Sequence, residues 1–196
     1  MRLFIAVNFT PETKNKLLAL RDELQANSSH GNFCLPENLH LTLAFLGECT
    51  TAQTEAIKSV MNTATFDPFD LTIDRIGYFK RNSRDFSNRS QPTTAGLFSG
   101  IWWAGIKECK PLLDLQQRIT TGLSAAGFET EKQKYSPHIT LGRQIVTSAT
   151  PRKITPFGET VCTINLMKSE RIAGKLSYTS IYRRGKRPKP IAHLTV

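Results

Sequence analysis

Apolar and polar positions along this chain follow two periods, and the switches between them mark out its elements. Residues 3–7 form a short unbroken apolar run, the pattern of a buried β-strand. Thr10 then stands as an N-cap with Pro11 at the first helical position, which predicts a helix to about Gln25. Leu17, Leu18, Leu20 and Leu24 give that helix an apolar stripe, and Lys14, Lys16, Arg21 and Glu23 a wet side. Residues 28–31 read as a loop, and 39–46 as a second strand ended by Gly47. Thr50 or Thr51 caps another helix running to about Met61, with Ile57, Val60 and Met61 inward. Residues 69–79 alternate as a strand that directs Leu71, Ile73 and Ile76 one way. The stretch 80–94 is polar, rich in Arg and Ser and without period, so it reads as an exposed loop whose length marks it as functional or mobile. A strand over 97–106 carries Trp102 and Trp103. An amphipathic helix over 112–126 presents Leu112, Leu115, Ile119 and Leu123, and Gly127 stops it. A strand at 138–143, a Thr/Pro-rich loop, and strands at 161–167 and 177–182 complete the chain.

Each half thus offers strands and a helix, with no extended identity between the halves. The expected fold is α+β, a single unit over residues 1–196 built from two similar, intertwined lobes of sheet with helices outside.

The chain has 196 residues, 39% hydrophobic and 21% charged, enough to bury an ordinary core. Its net charge of +10 favours an anionic partner, of which nucleic acid is the usual one. Part of the excess sits in residues 183–196, a basic, proline-punctuated arm suited to phosphate contacts without sequence preference. The four cysteines form no C-x-x-C pair, and the apolar N-terminal run is too short for a signal segment or a membrane span. A soluble, cytoplasmic protein is expected, with no membrane association and no protein partner predicted.

The chemistry lies in a repeat. His40-Leu41-Thr42-Leu43 recurs as His138-Ile139-Thr140-Leu141. On a strand, His40 and Thr42 point to one face while Leu41 and Leu43 point to the core; the second copy behaves alike. If a pseudo-twofold axis relates the lobes, two imidazole–hydroxyl pairs face each other across it. One neutral imidazole then takes a proton from water while the other, protonated, donates to a departing oxygen, and the hydroxyls hold a phosphate between them. His suits both roles because its ordinary pKa lies near neutrality. Neither copy has a carboxylate or second His at ligand spacing, and Glu37 falls in the preceding turn, so no metal and no cofactor are predicted. His193-Leu194-Thr195-Val196 has a similar pattern but follows Pro188 and Pro190 at the C-terminus and is set aside as coincidence; His30 reads as surface.

These residues carry a resemblance. The chain is similar to the 2H phosphoesterase superfamily, named for two such H-x-T motifs, and within it to the bacterial RNA 2′,3′-cyclic phosphodiesterase (LigT-type) branch. The likeness runs over Arg2-Leu3-Phe4-Ile5-Ala6-Val7, residues 36–47 around the first motif, Trp103-Ala104-Gly105-Ile106, and Pro137-His138-Ile139-Thr140-Leu141-Gly142-Arg143. It implies a bilobal fold with both motifs in a central cleft, metal-free hydrolysis of RNA 2′,3′-cyclic phosphate ends, and a 2′-phosphate product. It also implies His40 as proton donor to the leaving 3′ oxygen and His138 as proton acceptor from water. Thr42 and Thr140 then contact phosphate oxygens, and Arg143 supplies the cation. Strict alternation sends Arg143 to the face opposite His138, so only a strand end or a bulge brings it round. Cys34 stands near where the family carries an aromatic; Tyr135 and Phe45 are candidate stacking partners for a base, with plain packing as the alternative, and the commoner, reading of each. Small cyclic nucleotides, 2′-5′ oligonucleotides, and a non-catalytic RNA-end-binding role remain open as alternatives.

Overall fold

The computed structural model describes residues 1–80, 97–130 and 133–185. The elements run β1 (Arg2–Asn8), α1 (Pro11–Ala26), β2 (Ser28–Phe33), β3 (His40–Glu48), α2 (Thr51–Thr63), β4 (Phe69–Lys80), β5 (Phe98–Ile106), α3 (Lys110–Ala125), β6 (His138–Thr147), β7 (Arg152–Val161), β8 (Thr163–Ile172) and β9 (Lys175–Gly185), with a 3-10 turn at Pro36–Asn38 before β3. They make an α+β fold with two antiparallel sheets, β3-β1-β8-β9 and β2-β6-β5-β4-β7.

The helix boundaries follow local chemistry. Thr10 caps α1 by accepting from the Thr13 N–H, and its own N–H and hydroxyl both donate to the Glu159 carboxylate, at 2.9 and 2.7 Å. Thr50 and Gln53 form a reciprocal capping box on α2. Past the end of α3, Gly127 takes a φ of +84°, and the Phe128 N–H closes back on the Leu123 carbonyl at 3.0 Å. In β4 an irregularity between Ile73 and Arg75 resets the alternation, so Leu71, Ile73 and Ile76 are all buried despite their uneven spacing.

Three expectations need correction. Residues 28–31 are not a loop but part of β2, which pairs with β6 at one edge of the five-stranded sheet. The Thr/Pro-rich stretch contains β7, the strand at the other edge. Both are mostly polar because an edge strand keeps much of its surface in water, and its ladder leaves no apolar alternation to read. Residues 183–185, assigned to the basic arm, complete β9, where the Arg183 Nε donates to Asn165 Oδ1 at 3.2 Å. The remainder of the arm, His193 included, and residues 81–94 of the proposed loop lie outside the described residues.

The two halves of the sequence are interleaved. β2 from the first half joins the sheet of the second motif, and β8 and β9 complete the sheet of the first. Leu41, Leu43, Ile139 and Leu141 lie in one core, all but inaccessible to water. Across this junction the Tyr135 hydroxyl donates to the Thr42 carbonyl at 2.8 Å, tying the segment before the second motif to the backbone of the first. Tyr135 is therefore a brace between the motifs, the packing role that is the commoner one for such a residue. Removing that hydroxyl leaves a carbonyl without its partner, so Tyr135→Phe should lower unfolding free energy by about 1–3 kcal/mol in a urea titration; an unchanged midpoint would show that the brace carries no load.

Candidate active site

The Pro36–Asn38 turn delivers the chain into β3 with Leu39 and Leu41 buried, and the segment 133–137 delivers it into β6 with Ile139 buried. Those anchors leave His40, Thr42, His138 and Thr140 on the wall of one cavity of about 880 Å³. The strand-by-strand expectation that the two motifs meet is met here by residues 98 positions apart.

Both rings are oriented by the same device, one not visible in the sequence. The His40 Nδ1 lies 2.6 Å from the Asn38 carbonyl, and the His138 Nδ1 lies 2.7 Å from the Ser136 carbonyl. A carbonyl only accepts, so each Nδ1 carries the proton and each Nε2 is left as the reactive nitrogen. The His40 Nε2 is 3.0 Å from the Thr42 hydroxyl, which donates to it while the ring is neutral. Asn38 is itself buried, and its side chain donates to the Leu176 carbonyl at 2.8 Å, tying the orienting turn to the start of β9.

Aromatic rings hold each imidazole from the side. Phe4 and Tyr178 stand 4.8 and 5.2 Å from the His40 ring, centroid to centroid. Phe79 and Trp103 stand 5.0 and 6.4 Å from that of His138. Gly77 lies under the Trp103 indole, where an added Cβ would come within 2.5 Å of the ring, so only glycine lets that indole lie there. Phe4, Phe79 and Tyr178 are functional neighbours that sequence reading did not single out, because they come from strands far from the motifs.

Arg143 reaches the cleft. β6 slips register against β5 on both sides of Trp102, and Gln144 adopts a φ of +55°, so regular alternation fails where Arg143 stands. Its guanidinium lines the same cavity and acts electrostatically on His40, Cys34 and Tyr178. Cys34 also lines the cavity, with burial pushing its thiol up to about 11, so it is a neutral thiol at ordinary pH. His30 stays exposed on β2.

Burial lowers the His40 pKa from 6.5 to about 4, and the charges of Arg143 and Lys14 and the His138 ring push the same way against the Asn38 hydrogen bond. His40 is thus neutral near pH 7.

Known proteins match this chain along most of its length. Residues 7–85 fit the family model described as LigT like Phosphoesterase. An RNA 2′,3′-cyclic phosphodiesterase of Thermotoga maritima is 30% identical over 145 residues, spanning 73% of this chain and 70% of the relative. The chain belongs to the LigT-like phosphoesterases. The like-named protein of Escherichia coli is 25% identical across 93% of this chain and 94% of its own. In fold, this family member superimposes on the crystal structure of E. coli LigT complexed with 3′-AMP with a TM-score of 0.74, at 24% identity over 94% of this chain and 96% of that one.

The lowered His40 pKa has a thermodynamic consequence. Above pH 6.5 the ring is neutral whether the chain is folded or not. Between 6.5 and about 4 the unfolded chain binds a proton that the folded chain refuses, so stability falls as pH falls through that window. The full loss is about 3 kcal/mol. Urea midpoints compared at pH 7 and pH 4.5 should show this loss in the wild type and a shallower one in His40→Gln; equal slopes would place the His40 titration elsewhere.

Proposed function

We propose that this chain opens 2′,3′-cyclic phosphate ends of RNA to 2′-phosphates, with His40 as proton donor and His138 as proton acceptor. The observation that carries the reading is the convergence of two Nε2-directed imidazoles, two threonines and Arg143 on one cavity. The relatives named RNA 2′,3′-cyclic phosphodiesterase support the choice of substrate.

Water attacks phosphorus in line with the P–O3′ bond. His138 takes the proton of that water at Nε2, and His40 gives its Nε2 proton to the 3′ oxygen as the bond breaks, leaving the phosphate on the 2′ oxygen. Thr42, Thr140 and Arg143 hold the non-bridging oxygens, where charge is greatest in the transition state. His40 takes up its proton along with the anionic substrate, whose charge offsets that of Arg143. Once protonated, its Nε2 no longer accepts from the Thr42 hydroxyl, which is freed to turn to the phosphate. Each role is filled by a side chain, so the scheme needs no metal. When the 5′-hydroxyl of a second RNA attacks in place of water, giving its proton to His138 while His40 protonates O3′, a 2′-5′ link forms; this ligation is weak in dilute RNA, where water is the commoner nucleophile.

In this reading residues 1–196 act as one unit, and the basic residues from Lys186 onward add phosphate contacts along the RNA without regard to sequence. The four free cysteines accord with a reducing, cytoplasmic setting. Among the described residues no helix is long and apolar enough to cross a membrane.

His40→Ala and His138→Ala should each lower kcat on a nucleoside 2′,3′-cyclic phosphate by about 10²–10⁴-fold, and wild-type turnover should persist in excess EDTA. Phosphorus NMR checks both and reports which hydroxyl keeps the phosphate. Full turnover by either variant would remove its imidazole from the mechanism, and binding without turnover by the wild type would favour a role in docking RNA ends.

A further inference from the structure

The cavity that holds the two motifs carries more positive charge than one cyclic phosphate uses. Besides Arg143, its wall includes the charged residues Arg2, Glu48, Glu170, Arg171 and Lys175. Each carboxylate has a cation outside the lining: Glu48 lies 3.4 Å from the N-terminal amine, and Glu170 lies 2.7 Å from the Lys168 Nζ. The Arg2 guanidinium lies over the Phe45 ring. Among the described residues Arg171 and Lys175 form no ion pair, so their charge is left to the cavity.

Both stand on the β8–β9 hairpin, whose place relative to His40 is fixed. Ala173 and Gly174 take φ values of +49° and +80° in its turn, and the Arg171 Nη1 closes that turn by donating to the Gly174 carbonyl at 2.9 Å. The Leu176 carbonyl accepts from the Asn38 side chain, so Lys175 is one residue from a bond to the turn that orients His40. Arg171 pairs with Leu176, two residues outward from the Ser169–Tyr178 pair. The Tyr178 ring meets that of His40, which puts the two cations about 7 Å further along the ribbon.

A 2′,3′-cyclic phosphate carries a single negative charge, which Arg143 and the protonated His40 answer. It also ends its strand, so any further phosphate of the substrate lies on the 5′ side. We infer that Lys175, with Arg171, forms a subsite for the phosphate on the 5′ side of the terminal nucleotide. This rests on the phosphoesterase reading and narrows its substrate to oligonucleotides, whose last internucleotide phosphate fills the subsite. Lys175 is the specificity-determining side chain, since Arg171 is partly engaged by the turn. A lysine ammonium acts as a point charge and reads no base, so the subsite measures length and not sequence.

Binding of product analogues tests this independently of turnover. Three ligands are titrated calorimetrically: 2′-AMP, adenosine 2′,5′-bisphosphate, and the dinucleotide ApA bearing a 2′-phosphate. Wild type should bind the second and third about 10-fold or more tightly than the first at about 50 mM salt, and the gain should shrink at about 200 mM. Lys175→Gln should lose most of that gain and Lys175→Arg should keep it. Lys58→Gln, which removes the same charge from α2, should keep it as well. No gain in the wild type, an undiminished gain in Lys175→Gln, or no measurable binding of any of the three overturns the inference. A gain confined to the bisphosphate assigns the subsite to 5′-phosphorylated mononucleotides and overturns the oligonucleotide reading. A wild type that shows the full pattern yet never opens a cyclic phosphate supports the subsite and sinks the phosphoesterase reading instead.

Discussion

Two pairs of aliphatic side chains hold everything else in place. Leu41 and Leu43 in one strand, Ile139 and Leu141 in the other, are sealed in a common core, and their burial dictates which way the intervening histidines and threonines face. A one-residue slip of either strand would turn its imidazole into the core and its leucines into water. With four large aliphatic side chains committed, each typically contributing about 1.5–3 kcal/mol on burial, such a slip is not a competing state. The site is therefore defined by hydrophobic packing first, and hydrogen bonding only refines it.

The refinement is done largely by backbone. Carbonyls of Asn38 and Ser136 fix the tautomer of each ring without a carboxylate partner. Burial and the charges of Arg143 and Lys14 bear on His40.

Much of this was legible in the sequence, and the parts that were not have physical reasons. Caps and glycines located the helices, since Thr10, Pro11, Thr50 and Gly127 act within a few residues of themselves. The motif strands were legible because their alternation coincides with burial. β2 and β7 were not, because a sheet edge pairs through backbone that every residue shares. The position of Arg143 turned on a register slip against β5, and a slip belongs to a pair of strands, not to either alone. The aromatic neighbours of the histidines come from β1, β4, β5 and β9, and a single sequence carries no mark of which distant ring will meet which imidazole.

The interleaved strand order has a bearing on how the chain is made. β1 leaves the ribosome well before β8, yet one of its two hydrogen-bonding edges is reserved for β8, more than 150 residues later. Until then an apolar strand waits half-paired, the situation that slows folding and invites association with other chains. Neither sheet can therefore close before strands from both parts of this chain are in place, and until β8 arrives β1 keeps an exposed edge.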